Sequence, residues 1–344
     1  MLAYDVFTDD IFQATEVTEA LGNITYIPQG LNRMGLFEPE PIRVDNFQIY
    51  KKDETLELVK ITERGTQGQQ LGRDNRTLRP FRTYRLMQEA RITANQIRNL
   101  FSDSMPFAYA LARAEEEVAA RQTKMMRQLE LTKEYHRMAA VNGYVLDSDG
   151  SVVYDLFAEF GIVQPAAILF NFATLVDGQF REYLAQQIIR PMARQAAARW
   201  VEGQTEVAAL CGDNFYDRMV RSAEVRETYK SDMELRTLRE KRIWDSFYFG
   251  GVTWYNYRGT NDNATIRVAP NEVKFFPVGA IDVFKEVRSP AEDFTDLGEL
   301  GREFYGWVSP DYRPNMFQWV DCFLASYQFI FCQSPDLLMR GQLQ

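Results

Sequence analysis

The stretch 102–143 reads SDSMPFAYALARAEEEVAARQTKMMRQLELTKEYHRMAAVNG and is the longest uninterrupted helical pattern in this chain of 344 residues. Its first three residues carry side-chain oxygens that can cap a helix, and Pro106 is tolerated in a first helical turn. The Asn142-Gly143 pair at its other end supplies residue types that adopt the left-handed backbone in which helices end. The stretch therefore predicts one long helix over residues 103–141.

Apolar residues recur in this stretch at spacings of three, four and seven, which places them on one narrow stripe of a helix. The stripe consists of Phe107, Leu111, Ala114, Val118, Met125, Leu129 and Ala139. Charged residues fill the other faces, and Glu117–Arg121 and Glu134–Arg137 have the spacing of helical ion pairs. A helix of this length measures roughly 55 Å at about 1.5 Å per residue. We therefore expect it to lie across a surface, with its charges solvated.

Composition indicates a folded chain with room for two domains, because 46% of the residues are hydrophobic and 13% are aromatic. A net charge of −9 argues against a dedicated nucleic-acid-binding surface. Cys211, Cys322 and Cys332 form an odd set without metal-ligand spacing, so we expect a reducing compartment and neither a zinc site nor a disulfide framework. No N-terminal leader pattern and no apolar run of membrane-spanning length is present, so we expect neither secretion nor a membrane.

The N-terminal third is predicted to consist of an arm and a loop. Residues 1–46 show no sustained period, and residues 47–61 alternate as a strand does. A polar segment follows that contains three glycines and then a series of arginines that includes Arg73, Arg76, Arg79 and Arg82. Such a loop is either solvated or meets an acidic surface elsewhere. A phosphate-binding loop at Gly65–Gly72 is a weaker alternative, because the glycine spacing fits neither GxGxxG nor a P-loop.

The remainder of the chain predicts a mixture of strands and helices. A hairpin is predicted at 144–157 around Asp149-Gly150, and an acidic loop at 290–301. Helices are predicted at 180–200, with a break at Arg190-Pro191, then directly after Gly212-Asp213, and at 224–244. Strands are predicted at 247–257, 265–276, 304–308 and 317–332. The closing strands return beside the early long helix, with another domain inserted between them. This order favours an α+β fold over a wound parallel sheet.

The sequence offers little for catalysis. His136 is the only histidine and lies among charged residues, so we interpret it as a surface or interface residue. Asp213 and Asp217 have helical spacing and could bind a metal, but a helix cap plus a surface acid is the favoured interpretation. We interpret Cys211 as a small packed residue and the aromatic run 247–257 as a buried sheet face. We therefore predict no catalytic, metal or cofactor site.

The most distinctive short segment of the chain is LCGDNFYD at 210–217, which contains Cys211, Gly212, Asp213, Phe215 and Asp217. Other distinctive segments are RGT at 64–66, TANQI at 93–97, VRETY at 225–229, FGGV at 249–252, YRG at 257–259, FFPVG at 275–279 and SPDLL at 334–338. In this order the segments resemble the major capsid protein E family of tailed phages and prophages, the lambda-like shell proteins. The resemblance spans about Arg64 to Met339. Relatives often carry a histidine after the Phe-Tyr-Asp motif, where this chain has Arg221-Ser222.

The resemblance implies the tailed-phage, Hong Kong-type capsid fold, an α+β fold with four parts. These are an N-terminal arm at 1–48, an extended loop at 49–90, a peripheral domain at 91–163 and 304–344 with the spine helix at 103–141, and an axial domain at 164–303. The apolar stripe of the helix would then face a sheet formed with the C-terminal strands. The charged remainder would face the capsid lumen or neighbouring subunits.

The resemblance also implies a function: a major capsid protein, not an enzyme, that assembles with itself into pentamers and hexamers of an icosahedral phage head. The resemblance implies a scaffolding protein and a portal as partners and leaves a decoration protein open. The head would enclose double-stranded DNA without sequence-specific contacts. The protein would be located in the virion, which is assembled in the host bacterial cytoplasm. Arg64, Arg73, Arg76, Arg79 and Arg82 are the predicted intersubunit contacts. A cellular nanocompartment shell and, less favoured, a nucleotide-binding enzyme stay as alternatives.

Overall fold

The computed structural model describes residues 30–52, 76–99, 107–172, 179–231, 246–257, 259–260, 266–311 and 318–344. The predicted caps at 102–104, Pro106, the glycine-rich segment at 65–72, Arg64 and Arg73 therefore lie outside the described residues. No helix in the described ranges combines the length and apolar character that a membrane crossing requires.

The described helices, in chain order, are α1 (Gly30–Arg33), α2 (Ala94–Asn99), α3 (Phe107–Val141), α4 (Leu156–Phe160), α5 (Gln179–Leu184), α6 (Arg190–Ala196), α7 (Asp213–Arg221) and α8 (Ala223–Ser231). The described strands are β1 (Glu38–Pro41), β2 (Asn46–Lys52), β3 (Arg76–Arg82), β4 (Tyr84–Thr93), β5 (Tyr144–Leu146), β6 (Val152–Asp155), β7 (Ile168–Phe170), β8 (Glu206–Cys211), β9 (Phe247–Phe249), β10 (Val252–Asn256), β11 (Glu272–Val278), β12 (Phe284–Arg288), β13 (Tyr305–Pro310), β14 (Trp319–Cys332) and β15 (Met339–Leu343).

The long helix predicted from the sequence is α3, the spine helix, with 35 residues. It ends as predicted, because Gly143 follows it with a φ of 83° that favours glycine. Added bulk at Gly143 is also excluded, since a Cβ there would lie 2.3 Å from the ring of Phe157. The Glu117–Arg121 pair forms at 2.8 Å.

The spine helix packs on a five-stranded sheet. Strand β14 is central, with β12 and β13 along one edge, β4 along the other, and β1 beyond β12. Of the described part of the predicted stripe, Val118, Met125 and Leu129 are buried against Ile92, Cys322 and Leu324 of this sheet. Ala139 is buried as well. The predicted partner of the stripe, a sheet that contains the C-terminal strands, is therefore confirmed.

A second, six-stranded sheet has the order β7-β15-β11-β8-β10-β9. Its core is aromatic: Trp254 is fully buried and lies 5.6 Å from Phe275 and 6.3 Å from Phe215, measured between ring centroids. The predicted aromatic sheet face is confirmed at Phe247, Phe249 and Trp254, whereas Tyr248 between them is exposed. A π-helical segment at Ala185–Ile189 joins α5 to α6, at the break predicted for Arg190-Pro191.

Two strands join different sheets from those that the predicted domain boundaries imply. Strand β12 lies within 164–303 but pairs with β14 in the five-stranded sheet. Strand β15 lies within 304–344 but pairs with β11 and β7 in the six-stranded sheet. The chain thus crosses between the sheets after β11 and again after β14. Apolar alternation could not reveal these crossings, because both sheets demand the same pattern.

Candidate functional site

Six charged side chains meet beneath the C-terminal half of the spine helix, and we call them the charge cluster. The cations are Lys133, Arg137 and Arg288, and the carboxylates are Glu134, Glu286 and Glu303. Lys133 and Glu134 are 0% exposed and Arg137 is 3% exposed. The prediction that the charges of this helix are solvated is therefore wrong for these three residues. Glutamates from β12 and from the segment before β13 supply the partners that local sequence does not contain.

Glu286 is the central acceptor of the charge cluster. Its carboxylate lies 2.8 Å from Arg288, 3.0 Å from Arg137 and 3.6 Å from Lys133. Burial by itself would raise the pKa of Glu286, but the three cations outweigh burial and lower this pKa to about 2. Lys133 also contacts Glu303 at 2.7 Å. The cluster thus fastens the spine helix to the five-stranded sheet with three positive and three negative groups.

The end of the N-terminal arm is attached to the same helix through Glu134. The backbone N–H of Leu31 in α1 donates to Glu134 Oε1 at 2.7 Å, and the Tyr257 hydroxyl donates to the same oxygen at 3.0 Å. Leu31 is fully buried, and a Cβ on Gly30 would lie 2.9 Å from the Tyr257 ring. Burial raises the pKa of Glu134, against the opposing effects of Leu31 N–H, Arg137 and Tyr257. We call Leu31, Glu134 and Tyr257 the arm anchor.

The base of the predicted extended loop is a two-stranded hairpin, β2 with β3, held by aromatic side chains. Phe47 and Phe81 both lie 5.4 Å from the Phe329 ring, and Phe81 also contacts Tyr154 at 5.3 Å. Arg79 and Arg82 on β3 are exposed. Arg76 begins β3, although its side chain is outside the described set. The hairpin is therefore anchored at one end and presents exposed arginines along its length.

The motif at 210–217 forms a tight turn from β8 into α7. Gly212 passes so close to another segment that a Cβ there would lie 2.1 Å from the carbonyl oxygen of Ala269. Phe215 is fully buried and meets the Phe170 ring at 5.2 Å. Asp213 and Asp217 are exposed, and Gly212 occupies the capping position that the sequence favoured for an acid. The motif thus positions the core of the six-stranded sheet.

Cys211 is packed as predicted, and its burial raises its thiol pKa well above the ordinary value. Cys322 and Cys332 are buried free thiols as well. Among the described residues no group of three or more potential metal-ligating side chains is found.

His136 is not the surface or interface residue that its charged neighbours suggested, because it is buried within the subunit. It is 9% exposed, and burial lowers its pKa to about 4. It lies seven positions after Leu129, on the continuation of the apolar stripe, so helical periodicity carried the signal for its burial. A buried histidine with this pKa is neutral at pH 7.

The subunit combines the spine helix packed on the five-stranded sheet, a separate six-stranded sheet, and two extensions, the arm and the β2–β3 hairpin, that are held at their bases. This combination defines a tailed-phage capsid fold. The described fold is matched by the solved capsid structure of the cyanophage P-SCSP1u, with a TM-score of 0.53 at 10% identity and coverage of 94% of this chain and 91% of that one. The chain belongs to the family "Phage major capsid protein E", whose model matches residues 13–343.

Two curated relatives are called major capsid protein. One, from Pseudomonas phage KPP10, is 25% identical over 327 residues, which cover 87% of this chain and 89% of the relative. The other, from Salmonella phage Felix O1, is 21% identical over 365 residues, which cover 94% and 95%. The resemblance read from the ordered motifs and the predicted α+β capsid fold are therefore confirmed. The chain is a phage major capsid protein, a structural component of the virion that assembles with itself into a capsid.

Proposed function

We propose that the chain forms the pentamers and hexamers of an icosahedral head that encloses double-stranded DNA without sequence-specific contacts and without catalysis of its own. In this proposal a scaffolding protein and a portal take part in assembly, which occurs in the host bacterial cytoplasm. The observation that carries the proposal is the construction of the subunit. A rigid body holds an arm and a hairpin by buried residues at their roots, while Arg79 and Arg82 of the hairpin are exposed.

The two sheets support the proposed division of the subunit into two domains. The five-stranded sheet with the spine helix corresponds to the proposed peripheral domain, and the six-stranded sheet to the proposed axial domain. The hydrogen bond from Tyr257 to Glu134 in the arm anchor joins the segment after β10 to the spine helix. The charge cluster fastens that helix to the five-stranded sheet, so bending within the subunit is resisted. A closed shell must place the same chain around different symmetry axes, which adjustable extensions on a rigid body permit.

Assembly of the purified chain tests this proposal. Sedimentation velocity and negative-stain electron microscopy, with and without a scaffolding protein, should reveal rings or closed shells. Folded monomers under all of these conditions would contradict it.

The proposed intersubunit role of the arginines has its own test. Replacement of Arg73, Arg76, Arg79 and Arg82 by Ala should lower particle yield and leave the thermal unfolding of the subunit unchanged, because an exposed ion pair contributes only about 0–1 kcal/mol within a chain. Replacement of four exposed arginines elsewhere is the charge-matched control: Arg127, Arg190, Arg194 and Arg218. Particles of normal yield from the hairpin variant, or equal losses from both variants, would refute a specific role.

A further inference from the structure

A cavity of about 350 Å³ opens on the face of the five-stranded sheet opposite the spine helix. Tyr305 and Trp307 of β13 and Tyr327 of β14 contribute to its lining. These positions alternate along the two strands with Val308 and Leu324, whose side chains face the helix. The volume falls within the range of small-ligand sites, about 300–1,000 Å³. None of the residues of the charge cluster or the arm anchor lines this cavity, so it is a separate feature of the subunit.

The aromatic rings of the cavity are held in fixed positions. Tyr305 and Tyr327 are 4% and 5% exposed, and their ring centroids lie 5.8 Å apart. The Tyr305 hydroxyl accepts a hydrogen bond from the backbone N–H of Arg302 at 2.8 Å, and the Trp307 ring stacks on Phe323 at 5.6 Å. A cation within about 6 Å of an aromatic centroid is attracted by the ring. One cation in the cavity can therefore lie within that distance of both tyrosine rings.

The charges around the cavity leave one carboxylate in excess. The charged residues of the lining are three carboxylates and two guanidinium groups: Glu292, Asp293, Asp296, Arg85 and Arg302. Arg85 lies 3.4 Å from Glu292, and Asp293 accepts a hydrogen bond from the backbone N–H of Thr295 at 3.2 Å. Burial raises the pKa of Asp296, and Asp293 and Glu299 add to this effect against the opposing effect of Arg302. A further positive charge beside Asp296 would therefore be favourable.

The chemistry of the lining favours an organic cation over a metal ion. Hard metal ions require several oxygen ligands, which aromatic rings do not supply, and no set of three or more metal-ligating side chains occurs in the described part of the chain. A guanidinium group binds best to both oxygens of one carboxylate, whereas an ammonium group is a compact charge that needs a single acceptor. The methylene groups of an alkylammonium ion can also pack on aromatic rings. An alkylammonium ion thus matches the rings and the excess carboxylate together.

We propose that this cavity is a binding site for a primary alkylammonium ion. Asp296 is the charge partner of the ion, and the rings of Tyr305, Trp307 and Tyr327 contact the cation and its methylene groups. Such an ion reaches the site either as a free linear polyamine or as the lysine side chain of a protein. The cavity is formed within one subunit, so the inference is independent of the proposed assembly into pentamers and hexamers.

Equilibrium dialysis of the full chain against radiolabelled spermidine tests the site, and it applies to unassembled subunits and to particles alike. Spermidine carries the same aminobutyl group as a lysine side chain, so it is a probe for both sources of the ion. We expect saturable binding of one spermidine per chain at constant ionic strength. Butylammonium should displace the spermidine, whereas butanol, which has the same chain length without the charge, should not. The absence of saturable binding, or equal displacement by the amine and the alcohol, would overturn the inference.

Substitutions locate the bound spermidine. Asp296→Asn should weaken its binding about tenfold and Trp307→Leu about threefold, because the first removes the charge partner and the second an aromatic wall. Glu299→Gln is the matched control, since this exposed acid lies on the same loop but does not line the cavity, and its effect should stay below about twofold. Thermal unfolding verifies that each variant is folded.

Competition against spermidine also distinguishes the two sources of the ion. If Nα-acetyl-lysine amide is the stronger competitor per amine, the natural ligand is a protein lysine, and if unlabelled spermidine is stronger, it is a free polyamine. Equal losses of affinity from Asp296→Asn and Glu299→Gln, or wild-type affinity of Trp307→Leu, would overturn the proposed site.

Discussion

Glu286→Gln is the substitution that the charge cluster makes most informative, because this carboxylate serves three cations and is 2% exposed. Its pKa of about 2 lies some 2.5 units below the ordinary value of 4.5. At about 1.4 kcal/mol per unit, the charged form contributes roughly 3 kcal/mol to the free energy of unfolding. Loss of one partner from a buried ion pair costs about 3–5 kcal/mol, which agrees. We expect Glu286→Gln to lower the free energy of unfolding by about 3 kcal/mol at pH 7.

The depressed pKa of Glu286 also predicts how the effect of Glu286→Gln changes with pH. Because the folded-state pKa of Glu286 is depressed, the unfolded state binds more protons between pH 4.5 and 2, and stability falls as the pH falls through that window. The difference between wild type and Glu286→Gln should therefore be full at pH 7 and shrink to roughly half near pH 3. Urea denaturation of the subunit, followed by tryptophan fluorescence, measures both quantities.

Glu40→Gln is the matched control. Glu40 contacts Lys285 at 3.0 Å, on the strand that carries Glu286, but its side chain is 50% exposed. We expect a loss of about 0–1 kcal/mol from it. The reasoning would be refuted if Glu286→Gln cost less than 1 kcal/mol at pH 7, or if its effect were no larger than that of the control.

Three other substitutions follow from the same structure. Tyr257→Phe removes a hydrogen bond to a charged group and should weaken the arm anchor by about 1.5–3 kcal/mol, visible as faster hydrogen exchange of the Leu31 amide; unchanged exchange would contradict the anchor. Gly212→Ala should lower the melting temperature more than Gly161→Ala does. The added Cβ at position 212 would clash with the carbonyl oxygen of Ala269, whereas at position 161 it meets open space at a φ of 64°. Equal melting temperatures of the two variants would contradict this prediction. His136→Asn should reduce the loss of stability on acidification. The His136 pKa is about 4 in the folded state and about 6.5 in the unfolded state, which lowers the free energy of unfolding of the wild type by roughly 2 kcal/mol at pH 5. Equal acid sensitivity of the wild type and the variant would contradict this prediction.

Local features of the chain were readable from the sequence. The end of the spine helix depends on Asn142-Gly143, and the turn into α7 depends on Gly212, so the information lies within a few residues of each feature. The apolar stripe likewise named Val118, Met125 and Leu129, and all three are buried. Family identity followed from several such motifs in a fixed order.

The charge cluster could not be read in this way, because its partners are distant in the chain. Glu286 is 149 residues from Arg137, and Glu303 is 170 residues from Lys133. A signal did exist: positions 133 and 137 continue the apolar stripe from Leu129 in steps of four, so the charges occupy sheet-facing positions. Nothing local distinguishes such a buried charge from a solvated one until the sheet that supplies its counter-charges is known. The sheet membership of β12 and β15 was hidden for the same reason.

The electroneutrality of the charge cluster has a consequence for how the shell responds to its ionic surroundings. Salt screens exposed charges over a Debye length of about 8–10 Å, whereas the four buried members of the cluster, Lys133, Glu134, Arg137 and Glu286, are scarcely reached by mobile ions. The fastening inside each subunit should therefore depend only weakly on ionic strength, whereas the proposed pairing between subunits through exposed groups such as Arg79 and Arg82 should weaken as salt rises. Concentrated salt should loosen the joints between subunits long before it softens the subunits themselves, so a shell of this protein would come apart into intact building blocks.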